Sequence, residues 1–97
     1  MRFAYPTYVL RWPEREIMIR VLFFGPVAER VGMRQTDLPF REGLRWQDVR
    51  DELQARHGEA FAYVAIVAVN GVRVSEQHNV PLTDGAEIAF MSNFSGG

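Results

Sequence analysis

From residue 17 onward the residues fall into two alternating sets, apolar except for Arg20. Ile17, Ile19, Val21 and Phe23 share one parity, and Met18, Arg20, Leu22 and Phe24 share the other. That period of two predicts a strand. Gly25-Pro26 ends it, and residues 27–31 suit a short helical turn stopped by Gly32. Residues 35–40 form a weaker second strand. Gly43 then precedes the clearest helix, residues 45–57, where Trp46, Val49 and Leu53 make an apolar stripe at i, i+3 and i+7 before Gly58. Residues 64–69 are almost uninterrupted in β-branched and small apolar side chains, as a buried strand would be. Asn70-Gly71 is a strong hairpin signal leading into residues 72–74, and Asp84-Gly85 opens a last strand over residues 86–91.

The predicted order is strand, strand, helix, strand, short strand, strand. A hairpin followed by a helix that crosses to a third strand suits an α+β fold, with a mixed sheet of four to five strands and one main helix on one face. This is the β-grasp, or ubiquitin-like, arrangement. Three segments follow: an N-terminal extension (1–16), the domain (17–91) and a C-terminal tail (92–97). The extension has no period and is broken by Pro6, Pro13 and the charged run Glu14-Arg15-Glu16. It reads as a loose addition or as an upstream start, since Met18 opens the first strand. The alternative is that Tyr5, Tyr8 and Trp12 pack onto the domain or onto a partner.

Composition narrows the chemistry. Hydrophobic residues make up 47% of the 97, enough for one modest core. A formal net charge of -1 provides no field to draw nucleic acid or an anionic membrane. All eleven basic residues are arginine, so Schiff-base chemistry and isopeptide bonds through its own side chains are excluded. With no cysteine there is no disulfide, thiol nucleophile or thiolate metal site. No stretch suits a signal or membrane segment, and a cytoplasmic location is expected. His57, at a helix end, suits a charge–dipole or capping role, and His78 lies in a polar loop. Neither has a metal-ligand partner at useful spacing, so no metal is expected. Ser75, Ser92 and Ser95 lack a nucleophile-elbow motif. There is no glycine-rich phosphate cradle, so no cofactor is expected on the chain, and any ATP must be bound by a partner.

The tail is the segment with chemistry. After Met91 come Ser92, Asn93, Phe94, Ser95, Gly96 and Gly97, without strand alternation. At average glycine usage, two terminal glycines arise by chance in about 0.5% of chains. Six extended residues span roughly 20 Å, and glycine lets the backbone enter a narrow channel and approach a reacting centre closely. A carboxylate is a poor electrophile, but adenylation by ATP makes it an acyl phosphate anhydride. A sulfur donor can then displace AMP and leave a C-terminal thiocarboxylate, whose sulfur is nucleophilic and is delivered by the arm.

The runs Met-Ile-Arg-Val-Leu-Phe-Phe at 18–24, Val-Ala-Glu-Arg-Val-Gly at 27–32, Pro-Leu-Thr-Asp-Gly-Ala-Glu-Ile-Ala-Phe at 81–90 and the final Gly96-Gly97 resemble the small subunits of molybdopterin synthase, the MoaD/ThiS-like sulfur carriers. The resemblance spans roughly residues 18–97. It implies a carrier with no catalytic centre of its own, in which Gly97 holds the adenylate and then the thiocarboxylate, and Gly96 gives access. It implies charging by a ubiquitin-activating-like adenylyltransferase and docking to a large catalytic subunit, in a heterotetramer with two large subunits. The sulfur would go to cyclic pyranopterin monophosphate. Where the family has an aromatic and a Pro-Pro pair near the tail, this chain has Met91-Ser92-Asn93-Phe94, which predicts a looser arm. Carriers for thiamin, cysteine or tRNA thiolation share the Gly-Gly end, and a ubiquitin-like modifier or interaction module is a further alternative.

Strand parity also suggests a docking surface. Arg20 marks Met18, Leu22 and Phe24 as outward, and Glu87 marks Ala89 and Met91. Phe24, Met91 and Phe94 would form an exposed apolar patch beside the tail, and the resemblance implies an interface aromatic at Phe24. Phe24, Phe90, Met91 and Phe94 are expected to position the tail against a partner. The competing reading is that Phe24 and Met91 plug the sheet edge or pack against residues 1–16.

Overall fold

The structure, a computed structural model, describes residues 17–93. The alternation in the first segment becomes β1 (Met18–Phe23), whose buried residues are Ile19, Val21 and Phe23. Gly25, at φ +56°, turns the chain from β1 directly into helix α1 (Gly25–Val31). Pro26 sits in its first turn, where a missing N–H costs nothing. β2 (Gln35–Pro39) runs back antiparallel to β1, from Met18 opposite Pro39 to Leu22 opposite Gln35.

Helix α2 (Trp46–His57) follows and buries the expected stripe of Trp46, Val49 and Leu53. Its N-terminus is capped from outside the helix. Arg45, in the cap position, has no acceptor on its side chain, and Asn79 substitutes for it: Gln47 N donates to Asn79 Oδ1 at 3.1 Å. Trp46 N donates to Val80 O at 3.1 Å, Trp46 Nε1 to His78 O at 2.7 Å, and Arg45 N to Asp48 Oδ2 at 2.9 Å. Arg50 lies over the Trp46 ring at 5.2 Å and pairs with Glu76. The polar loop holding His78 is therefore a clasp that fixes the start of α2.

A 3-10 helix (Gly58–Tyr63) then brings Ala60 and Phe61 into the core. The predicted strand over 64–69 starts late, as β3 (Ile66–Val69), because Val64 N turns back to Phe61 O at 3.2 Å. Asn70 (φ +50°) and Gly71 (φ +82°) make the hairpin to β4 (Val72–Val74), both central residues having the positive φ that a type I′ turn requires. Asn70 is also tied to the last strand, β5 (Glu87–Met91): its N–H donates to Glu87 O at 2.7 Å, and its Oδ1 accepts from Glu87 N at 2.9 Å.

The sheet order is β2-β1-β5-β3-β4. β5 pairs parallel with β1, from Arg20 opposite Glu87 to Phe23 opposite Phe90, and antiparallel with β3, from Ile66 opposite Met91 to Val69 opposite Ile88. The core joins the inward residues of these strands to Val27, Leu38, Leu44, Trp46, Val49, Leu53, Phe61 and Leu82. This is the expected ubiquitin-like architecture, with the mixed sheet at its full five strands and α1 as a second, shorter helix.

Removing the external cap should weaken α2 without touching the sheet. Asn79→Ala is expected to cost about 1 kcal/mol, a fall in Tm of roughly 4–8 °C for a domain of this size, and Asn79→Asp should retain most of the stability. Thermal unfolding followed by circular dichroism measures both.

Candidate functional site

The C-terminal strand is held on both sides as it ends. Phe24 N donates to Phe90 O at 3.1 Å from the β1 side, and Ala65 N donates to Met91 O at 2.8 Å from the β3 side. Beneath this point lies an aromatic cluster. Phe23 stacks on Phe90 at 6.1 Å, Phe61 meets Phe90 edge-on at 5.0 Å, and His57 stacks on Phe61 at 6.4 Å. The His57 ring thus packs at the helix end against phenylalanines, a contact the sequence pattern did not suggest.

Phe90 is fully buried and offers no surface to a partner. Its place among residues expected to meet a partner is corrected: its parity with Ala86 and Ile88 turns it into the core, so any influence on the tail is exerted from below. Ser92 is likewise not part of a loose arm. It is only 9% exposed, and a Cβ placed on Gly25 would lie 3.7 Å from its Oγ. Burial of the chain therefore continues one residue past Met91. Phe94, Gly96 and Gly97, expected to be the patch aromatic and the reactive end, lie outside the described residues.

Phe24 is 48% exposed and Met91 is half-buried. Both lie on the sheet face away from α2, and register extends them into a strip. Leu22 is opposite Ala89, Ala89 opposite Ala68, and Met91 opposite Ile66. The exposed Arg20–Glu87 pair, 3.9 Å apart, borders one side and Arg73, opposite Ala68, the other. An apolar centre with a charged rim has the composition of a protein-binding surface. Beside Phe24 a shallow cavity of about 440 Å³ is lined by Leu22, Phe24, Gly25, Ala28 and Arg34 among others. Ile66 and Ala68 were not foreseen, because the run over 64–69 is too uniformly apolar to reveal its parity. Gly25 could have been suspected only from its place at a strand-to-helix junction.

Other chemistry is sparse. Ser75 Oγ lies 3.0 Å from His78 Nδ1, with no acid completing a triad among the contacts of either. Among the described residues no group of three His, Cys, Asp or Glu is placed to hold a metal ion, and no helix is long and apolar enough to cross a membrane.

The ThiS family model matches residues 21–97. The chain belongs to the ThiS family. Among its relatives is the Escherichia coli protein named molybdopterin synthase sulfur carrier subunit, 42% identical over 88 residues that cover 82% of this chain and all of the relative. The complex of subunits 1 and 2 of molybdopterin-converting factor from Helicobacter pylori contains a chain with the same fold, 26% identical, with a TM-score of 0.61 over 82% of this chain and 99% of that one. The small archaeal modifier protein 1 of Haloferax volcanii, 20% identical, shares the fold with a TM-score of 0.63 over 77% of this chain and 95% of its own. The family match runs from Val21, within the first strand, through both helices to the Gly-Gly end; residues 1–16, whose role the sequence left open, fall outside it and outside the described structure.

The two phenylalanines at the head of the tail should separate in a stability measurement. Phe90→Ala empties the aromatic cluster and is expected to cost about 3–5 kcal/mol, whereas Phe24→Ala removes an exposed ring and should stay within about 0.5 kcal/mol. Urea denaturation of the two variants checks this.

Proposed function

We propose that this chain is the sulfur carrier subunit of a molybdopterin synthase, a cosubstrate whose reagent is its own C-terminal carbonyl. The observation that carries the reading is the 42% identity to the Escherichia coli carrier subunit across that relative's whole length, together with a family match that runs to Gly97. In this reading the Gly97 carboxylate attacks ATP in the site of an adenylyltransferase, releasing pyrophosphate and forming an acyl adenylate. A sulfur donor then displaces AMP, and the thiocarboxylate is left on Gly97. The chain contributes neither a phosphate-binding loop nor a thiol to these steps, which suits a division of labour in which ATP is bound by the activating enzyme.

The charged carrier then docks on a large catalytic subunit, as subunit 1 meets subunit 2 in the Helicobacter pylori complex. The apolar strip around Phe24 and Met91, extended by Phe94, is the surface proposed for that contact. Burial of exposed apolar area there supplies affinity, and the charged rim supplies orientation. Gly96 and Gly97 enter the partner's site, where the sulfur is delivered to cyclic pyranopterin monophosphate; the assembly is a heterotetramer with two large subunits. A cytoplasmic location fits the need for ATP.

Intact mass reports the first half of the cycle. Incubation with the cognate activating enzyme, ATP and a sulfur donor should exchange one oxygen of the chain for one sulfur. An unchanged mass beside an active enzyme would remove the proposal. Deleting Gly97 should abolish sulfur delivery while leaving the unfolding curve and the affinity for the large subunit as they were. Retained function in that deletion would favour an interaction module instead.

A further inference from the structure

The apolar strip at the end of β5 contains one side chain whose polarity a two-electron oxidation can change. Met91 ends β5, the central strand, and lies opposite Ile66 of β3. On its other flank the register that sets Phe23 beside Phe90 continues into Phe24, whose N–H donates to Phe90 O at 3.1 Å. Met91 is thus flanked by an exposed aromatic and an aliphatic side chain, within the surface proposed for docking. It is half-buried and so still reached by solvent. Among the described residues it is neither in the core nor one of the half-buried apolar residues packed against the core. The other described methionines lie elsewhere. Met18 stands beyond the Arg20–Glu87 pair at the far end of β1, and Met33 is in the connection between α1 and β2. With no cysteine in the sequence, thioethers are its only sulfur groups.

We infer that Met91 is an oxidative modification site that controls docking: its sulfoxide form leaves the domain folded and weakens the hold of the strip on the large catalytic subunit. A peroxide supplies the oxygen. The thioether lone pair attacks one peroxide oxygen, the O–O bond breaks, and the departing hydroxide takes up a proton as water. The sulfur is oxidised by two electrons and the peroxide is reduced by two. A dithiol reductase reverses the step, forming water and a disulfide. Reduced methionine is apolar and adapts its shape to a partner. The sulfoxide oxygen is a strong hydrogen-bond acceptor, and burying it beside Phe24 and Ile66, whose side chains offer no donor, costs its hydration without replacement. The free domain avoids that cost, because Met91 there still meets solvent. The inference rests on the proposed docking of this strip to a large subunit and adds a means of regulating the same surface.

The test uses the full chain, treated with hydrogen peroxide, desalted, and mapped by peptide mass for the sulfoxide at Met91. Isothermal titration calorimetry measures its affinity for the cognate large subunit before and after oxidation. The wild-type chain is expected to bind about tenfold or more weakly once oxidised, with its thermal unfolding midpoint unchanged. Methionine sulfoxide reductase should restore the affinity. The double variant Met18→Leu/Met33→Leu, which keeps Met91, should lose affinity by the same ratio. Met91→Leu, whatever its own affinity, should bind equally before and after the treatment. Equal affinity of oxidised and reduced wild type, with the sulfoxide present, overturns the inference. So does a loss that persists in Met91→Leu, a loss matched by a lower unfolding midpoint, or a Met91 that resists peroxide while Met18 and Met33 react. A reduced wild-type chain that does not bind the large subunit removes the docking reading itself, a result separate from all of these.

Discussion

The parallel pairing of β1 with β5 organises this molecule. Arg20 to Phe23 lie beside Glu87 to Phe90, and β5 is paired again on its other edge by β3. The C-terminal strand therefore occupies the middle of the sheet, where both rows of backbone groups are satisfied. Its inner side chains, Ile88 and Phe90, and Ala86 just before it are almost wholly shielded from water. Residues near a chain end would ordinarily fray, but this strand is bonded on both edges as far as Phe90 and Met91. In the proposed function, Gly97 therefore follows a strand whose place in the sheet is fixed.

The same pairing divides labour between two faces. Inward residues of β1, β5 and β3 meet Trp46, Val49 and Leu53 and make the core, so stability is concentrated on the helix side. The opposite face is left with a strip of moderate apolar side chains bordered by charge, including the Arg20–Glu87 pair, whose exposed partners contribute little to stability. In the proposed docking, binding and folding thus draw on different residues of the same strands. Phe23 and Phe24 express this in consecutive positions: one is locked in the aromatic cluster and the next is half exposed.

Much of this was legible because short-range rules decide it. Arg20 and Glu87 revealed the parity of their strands, Asn70-Gly71 announced its hairpin, and the Trp46, Val49 and Leu53 spacing gave α2 its inner face. What escaped depends on residues distant in the chain. Asn79 caps a helix that starts more than thirty positions earlier, and nothing local marks it. Phe61 enters the core on a 3-10 helix where the pattern offered only a loop before a strand. The uniform apolar run at 64–69 hides its parity, since the outward Ile66 and Ala68 look no different from the inward Val67 and Val69. The most consequential omission was Ser92. A polar residue beside asparagine after a strand reads as solvent-exposed, and only the approach of Gly25 from the β1–α1 junction shows that it is seated.

The central parallel pair also gives the domain a mechanical character. Tension between the start of β1 and the end of β5 would draw the two strands past each other along their common axis. Their ladder would be loaded in shear, with its hydrogen bonds sharing the force together and not opening one at a time from an end. If the terminus is handled by successive enzymes, as in the proposed function, the domain resists tugging along the axis of this strand pair.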